Sequence, residues 1–360
     1  MLKKAAALLL MSVSLVSWVS CGKTSSYYLF ASIPTSSQIV VFREDPNSGV
    51  LTVLPDSPFA AGTDVHSIVI HPSKKFLYAA NTFSNDISLF AIDTSGAITE
   101  QGSRTATGTA PRFLVMDQTG SFLYSGNLAS TDVWVFSIDS STGTLSKLPA
   151  TIQLGTPPLN MKLAPNGETL YVTVAGSPGI PGAIEVLGLS GGVSNNSFTL
   201  VPHVGANPDG LVINPSGTYL YVANSAPDNS ISEFAINSNG SLTELSGSPM
   251  GETFASPIAL LVDNSGKYLF VANEGSNNVA GYSIDSDGGL TILTNSPFGT
   301  NSQPSFIASD PGGNYLFVGN QASGAMIQSF NLATSSGTLT TVQSYAVGNA
   351  PTSIAVSAAP

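Results

Sequence analysis

Three titratable side chains of unlike chemistry, His66, Arg112 and Asp209, stand at one corresponding position in successive copies of a repeated phrase. In chain order that position carries His66, Arg112, Leu159, Asp209, Ile258 and Ser305, and then Thr352 from the tail; in most copies it follows a proline. A guanidinium fork suits a carboxylate or phosphate, and an imidazole titrates near neutral pH. Water attack on a lactone needs a general base and a group that holds the developing oxyanion. His66 is the candidate base, Arg112 the anion holder, and Asp209 the alternative base. The same residues also fit a plainer account, in which Arg112 and Asp209 pair with each other or with loop carbonyls and His66 caps a strand. Both accounts stay open at this level.

Other residues belong to the same neighbourhood. Asn160 lies beside Leu159, and Lys162 replaces Val69, Val115 and Val212 of sister copies. A buried lysine is costly unless paired, so Lys162 is expected to reach into a central channel as a second anion-binding group. Glu274, directly after Asn273, adds a charge at the same mouth. Ser305 and Thr352 complete the candidate ligand-binding set. The amides that end a strand in five copies (Asn81, Asn127, Asn224, Asn273, Asn320) read better as Asx-turn caps than as a ligand surface. Metal ligation is not expected: His66, His71 and His203 fall at unrelated repeat positions, and no calcium-loop spacing occurs. No phosphate-binding glycine loop and no Gly-x-Ser-x-Gly elbow appears, and no cofactor is implied.

The element that positions these residues is the repeat itself. Asn214-Pro215-Ser216-Gly217-Thr218-Tyr219-Leu220-Tyr221-Val222-Ala223-Asn224 is a turn feeding a strand that stops at an amide. Aligned on Phe30, Tyr78, Tyr124, Tyr171, Tyr221, Phe270 and Phe317, the copies recur every 46 to 50 residues. Each offers four short strands of period two, which is the spacing of propeller blades. The expected fold is all-β: a seven-bladed β-propeller with four antiparallel strands per blade. The first copy starts at its second strand, and Pro351-Thr352-Ser353-Ile354-Ala355-Val356 matches the missing first one. The C-terminal strand should therefore close the first blade and leave no open sheet edge. Ser57-Pro58-Phe59, Ser248-Pro249-Met250 and Ser296-Pro297-Phe298 end the fourth strand in three copies and read as structural plugs. The fourth copy diverges most, lacking the terminal Asn after Tyr171 and lengthening its loop at Ser177 to Gly182.

Residues 1–20 read as an export signal: Lys3-Lys4, then an apolar run from Ala5 to Val16 that is short for a bilayer span. Small residues before the single cysteine resemble a bacterial lipoprotein signal, with Cys21 as the acylated N-terminus. Simple cleavage near Ser20 is the alternative. Residues 21–26 would be a linker and 27–360 the propeller. Loss of Lys3 and Lys4 moves the formal charge from −11 to −13. This acidic, sparsely charged body argues against nucleic acid, and membrane contact is expected only through a lipid.

The phrases Pro-Ser-Gly-Thr-Tyr-Leu-Tyr-Val-Ala-Asn, Asn-Ser-Gly-Lys-Tyr-Leu-Phe-Val-Ala-Asn and Ser-Asn-Asp-Ile-Ser-Leu-Phe-Ala-Ile-Asp resemble repeats of the seven-bladed lactonase family. That family includes propeller-type bacterial 6-phosphogluconolactonase and fungal carboxy-muconate cyclase, and related Tyr-Val-Thr-Asn repeats occur in surface proteins. Val65-His66-Ser67 resembles the family's Pro-His-Ser, and Ala110-Pro111-Arg112 its Gly-Pro-Arg-His. Phe113 stands where that His would be, Leu128 where an acid is expected, and Ile258 and Ser305 where the enzymes tend to carry arginines. The resemblance implies a propeller that opens or binds a small lactone or carboxylated sugar, and a monomer is expected. A non-catalytic propeller with an envelope protein partner is the rival, and a quinone-binding redox propeller a third reading.

Overall fold

The computed structural model describes residues 26–360 except 177–180, 206, 252–253, 323 and 325, with backbone alone at 196–198 and 202–203. Cys21 and the leader lie outside the described residues. Seven antiparallel sheets follow one another along the chain. Blade 5 shows the pattern: Pro208–Ile213, Tyr219–Asn224 and Ser230–Ile236 pair in sequence, and Leu242–Glu244 and Met250–Gly251 both pair with the third strand. Blade 1 is the exception in chain order. Its innermost strand is Ser353–Ala358, which pairs with Tyr27–Ile33 in the register Leu29 to Val356. The tail closes the ring as the repeat count predicts.

Sequence explains the strands locally. Glycines with left-handed φ, such as Gly217 (φ 72) and Gly266 (φ 73), make the turn between first and second strands. An acceptor at the start of that turn secures it: the Asp263 carboxylate accepts from the backbone N–H of Ser265, Lys267 and Tyr268. The second strands bury nearly every side chain because both faces meet a neighbouring blade. Seven apolar clusters result, each spanning two adjacent blades. The one that joins blade 7 to blade 1 packs Tyr315, Phe317 and Ile327 on Leu29, Ala31, Phe42 and Ile354. Each fully buried aromatic such as Phe317 contributes roughly 2–3 kcal/mol of transfer free energy. The core is thus a ring of seams, and no blade owns one alone.

Two expectations change in detail. The Ser-Pro segments interrupt the fourth strand where they were expected to end it. In blades 1, 5 and 6 a cis Ser–Pro bond separates two short strands. There the serine Oγ accepts the backbone N–H of Val41, Glu233 or Gly281 at 2.9–3.0 Å, filling a gap in the ladder. The strand-ending amides are not Asx-turn caps. They are buried inside the blades and donate across to the third strand: Asn81 to Asp86 and Ser88, Asn127 to Asp132, Asn224 to Ser230 and Ser232, Asn273 to Asn278. Asn320 donates to the Val318 and Met326 carbonyls. In blade 4 Val174 takes the amide's place. Glu185, aligned with Ser88 and Ser232, is buried there and accepts the Gly155 N–H at 3.2 Å.

Candidate functional site at one mouth of the central tunnel

The first strand of six blades carries a β-bulge at the residue in question. Register shifts fall between Val65 and Ser67, Pro111 and Phe113, Pro158 and Asn160, Pro208 and Gly210, Pro257 and Ala259, and Pro304 and Phe306. His66, Arg112, Leu159, Asp209, Ile258 and Ser305 are each the unpaired extra residue. A bulge bends its strand and re-aims a side chain, so the repeat presents one free position per blade to the hub. The sequence identifies the ring but carries no sign of the bulge that creates it.

Backbone latches fix the loops ahead of the bulges. Asn85 Oδ1 accepts the Ala110 N–H at 2.7 Å, Asn229 Oδ1 that of Ser256 at 2.8 Å, and Asn277 Oδ1 that of Gln303 at 2.7 Å. Both members of every pair have left-handed φ although none is glycine. Strain of this kind persists only where surrounding structure over-determines it. These latches join the third-strand entries of blades 2, 5 and 6 to the bulges of blades 3, 6 and 7.

A tunnel cavity of about 630 Å³ opens at this mouth, and His66, Arg112, Asn160, Lys162, Asp209, Glu274, Ser305 and Thr352 all line it. Most of the remaining wall is apolar, including Leu114, Met161, Leu211, Leu260, Phe306 and Ile307. Arg112 is exposed and makes no hydrogen bond or ion pair with any described residue. It does not pair with Asp209, yet its charge reaches both neighbours. Burial and then the Arg112 guanidinium push the His66 imidazole down to about 4, so it is neutral at neutral pH. Burial raises Asp209, with the Ser225 hydroxyl that donates to it and Arg112 pulling the other way.

Three predicted ligand groups have other employment. Thr352 Oγ1 donates to the His66 carbonyl at 2.8 Å, Asn160 Nδ2 to the Asp209 carbonyl at 2.9 Å, and Ser305 Oγ to the Pro351 carbonyl at 3.3 Å. Each bond crosses to the next blade's innermost strand. Ser67 and Ser353 do the same as acceptors, from Leu114 N and Ile68 N. These side chains stitch the hub together. Among the described residues Glu274 and Lys162 have no such bond. Lys162 is exposed to the lumen although protein walls the tunnel around it, and that burial lowers its pKa. Among the described residues no group of His, Cys, Asp and Glu has a metal-holding arrangement.

A family model for the lactonase seven-bladed β-propeller matches residues 52–160 and 248–356, more than half of the sequence. The chain belongs to that lactonase family. His66, Arg112, Asn160, Glu274, Ser305 and Thr352 fall within the matched segments, whereas Lys162 and Asp209 lie between them. No curated protein matches the sequence. Solved structures share the lactonase-family fold. One from Bacteroides fragilis, described as a candidate 6-phosphogluconolactonase, is 20% identical with a TM-score of 0.78, covering 93% of this chain and 99% of that one. A candidate 6-phosphogluconolactonase from Bacteroides uniformis is 18% identical with a TM-score of 0.80, covering 92% and 100%. A periplasmic gluconolactonase from Pseudomonas aeruginosa is 20% identical with a TM-score of 0.77, covering 93% and 100%. At such identities the likeness carries the fold alone.

Proposed function

We propose that this lactonase-family propeller is exported and hydrolyses a small lactone, or binds a lactone or carboxylated sugar, at the tunnel mouth. The observation that carries the reading is the unpaired Arg112 guanidinium beside a neutral His66 in one lined cavity. In the proposed reaction His66 accepts a proton from water, and the hydroxide adds to the lactone carbonyl. Arg112 holds the resulting oxyanion. Collapse breaks the ring C–O bond, the alcohol oxygen takes the proton back from His66, and a hydroxy acid leaves. Asp209 is the alternative base. Rates of lactone hydrolysis by the mature domain, wild type against His66→Ala and Arg112→Ala, test this. Equal rates in all three, or none above background, remove the enzymatic reading.

Export rests on the leader sequence and finds support in the periplasmic gluconolactonase of the same fold. Cys21→Ser should move the protein from membrane to soluble fractions if the cysteine is acylated. A non-catalytic binding propeller is the second reading. It is favoured by one observation: among the described residues no side chain hydrogen-bonds the His66 ring to orient it, and a base held near 4 is weak at neutral pH. Pull-down of an envelope protein partner that survives both mouth substitutions would decide for it.

A further inference from the structure

Lys162 occupies one level below the mouth, on the order of 7–10 Å along the strand from the ring residue. The register that pairs Lys162 with Tyr171 pairs Val69 with Tyr78, Val115 with Tyr124, Val212 with Tyr221, Leu261 with Phe270 and Ala308 with Phe317. In blade 1 the same level is Ala355, opposite Phe30. One ammonium therefore interrupts a belt that is aliphatic in all six other blades. It has no hydrogen bond or ion pair with any described residue. The protein around it lowers its pKa by burial. His66, Arg112 and Asp209 influence one another at the rim, and Lys162 stands apart from them.

Lys162 is exposed to the lumen at a level that is otherwise aliphatic, and a carboxylate on its ammonium would gain a charge-assisted contact that nothing else at that level supplies. The walls say what body that anion has. A polyol gives up water from each hydroxyl on binding, and that cost is offset only where site donors and acceptors are free to meet it. Here Asn160, Ser305, Thr352 and Ser67 are committed to the blade seams, and the positions level with Lys162 are Val69, Val115, Val212, Leu261, Ala308 and Ala355.

We propose that the tunnel takes a ligand with an unbranched apolar tail ending in a carboxylate, the carboxylate on Lys162 Nζ and the tail along the aliphatic belt. This rests on the tunnel mouth being the ligand site, as in the function proposed above, and narrows the substrate to a lactone bearing such a tail.

Titration calorimetry with octanoate as the probe tests it, with gluconate and octylamine as comparators. Octanoate should bind the wild-type protein more tightly than either comparator. Affinity should fall about tenfold or more in Lys162→Met, the loss of one charge-assisted contact, and be retained in Lys162→Arg. Lys162→Val, which restores the residue of blades 2, 3 and 5, serves if the Met variant does not fold. No octanoate binding, unchanged affinity in the Met or Val variant, or gluconate binding as tightly as octanoate overturns the proposal. The two readings fail separately. Lys162-dependent octanoate binding without lactone hydrolysis keeps this inference and removes the enzyme. His66-dependent hydrolysis without octanoate binding does the reverse.

Discussion

The Tyr171 hydroxyl of blade 4 donates to the Gly240 carbonyl in the outer turn of blade 5, at 2.8 Å and 69 residues away. Tyr78 to Gly143, Tyr124 to Gly192 and Tyr221 to Gly288 repeat the bond. All four acceptor glycines have φ between 75 and 90, a conformation that other residues adopt only with strain. Burial pushes the Tyr171 phenol up to about 12, so it remains a donor at any working pH. Replacing Tyr171 with Phe should destabilise the protein by about 1–2 kcal/mol, because the carbonyl is left unpaired in the seam. Denaturant unfolding measures it. No loss would mean that water reaches the carbonyl.

Glu44 offers a sharper test. It is 1% exposed, and both carboxyl oxygens lack a hydrogen-bond partner among the described residues. Alignment through the strand register places Ile92, Ile138, Leu189, Ile236, Ile284 and Leu332 at its position in the other blades. Burial, then the Asp310 and Asp45 carboxylates, raise its pKa from 4.5 to about 8. Folding therefore takes up a proton between those values. The stability is complete below the unfolded pKa and is lost as pH rises through the folded one. Glu44→Ile should stabilise the protein by about 2–5 kcal/mol at pH near 8 and by much less at pH near 4. Denaturant midpoints of the two proteins across that range check it, and a difference independent of pH would show that Glu44 is charged throughout.

The pH profile of hydrolysis distinguishes the two candidate bases. With His66 held down to about 4, kcat/KM should stay level through the neutral range. It should fall about tenfold per pH unit only below about 4, where the imidazole protonates. Arg112→Ala removes a like charge and should move that limb upward. An acid limb that persists in His66→Gln assigns the base to Asp209 instead.

Removal of residues 353–360 should abolish cooperative unfolding, since Tyr27–Ile33 would lose its inner partner and the cluster shared with blade 7 would lose Ile354. A cost on the order of 5 kcal/mol or more, comparable to the net stability of a typical protein, is expected. Thermal denaturation with an unshifted midpoint would contradict the closure argument.

The ring architecture is legible in the sequence because one phrase recurs and its missing first strand is found in the tail. Repeat position likewise brings His66, Arg112 and Asp209 to one cavity, as it does Lys162 and Glu274. Partners are harder to read than positions. Thr352 meets His66, and Asn160 meets Asp209, through the next blade's backbone, so nothing near either residue in the chain announces the bond. The amides at Asn81 and Asn224 look like turn caps for the same reason, since the serines they bond lie on the following strand. Glu44 escapes notice because its burial follows from ring packing and not from the alternation around it.

The pairing of Tyr27–Ile33 with Ser353–Ala358 also dictates an order of events during biosynthesis. The first sheet stays one strand short until residues 353–358 have been made. Up to that point the chain has blades but no hoop. The clasp is thus the last blade closure to become possible, whatever the order in which the other six sheets form.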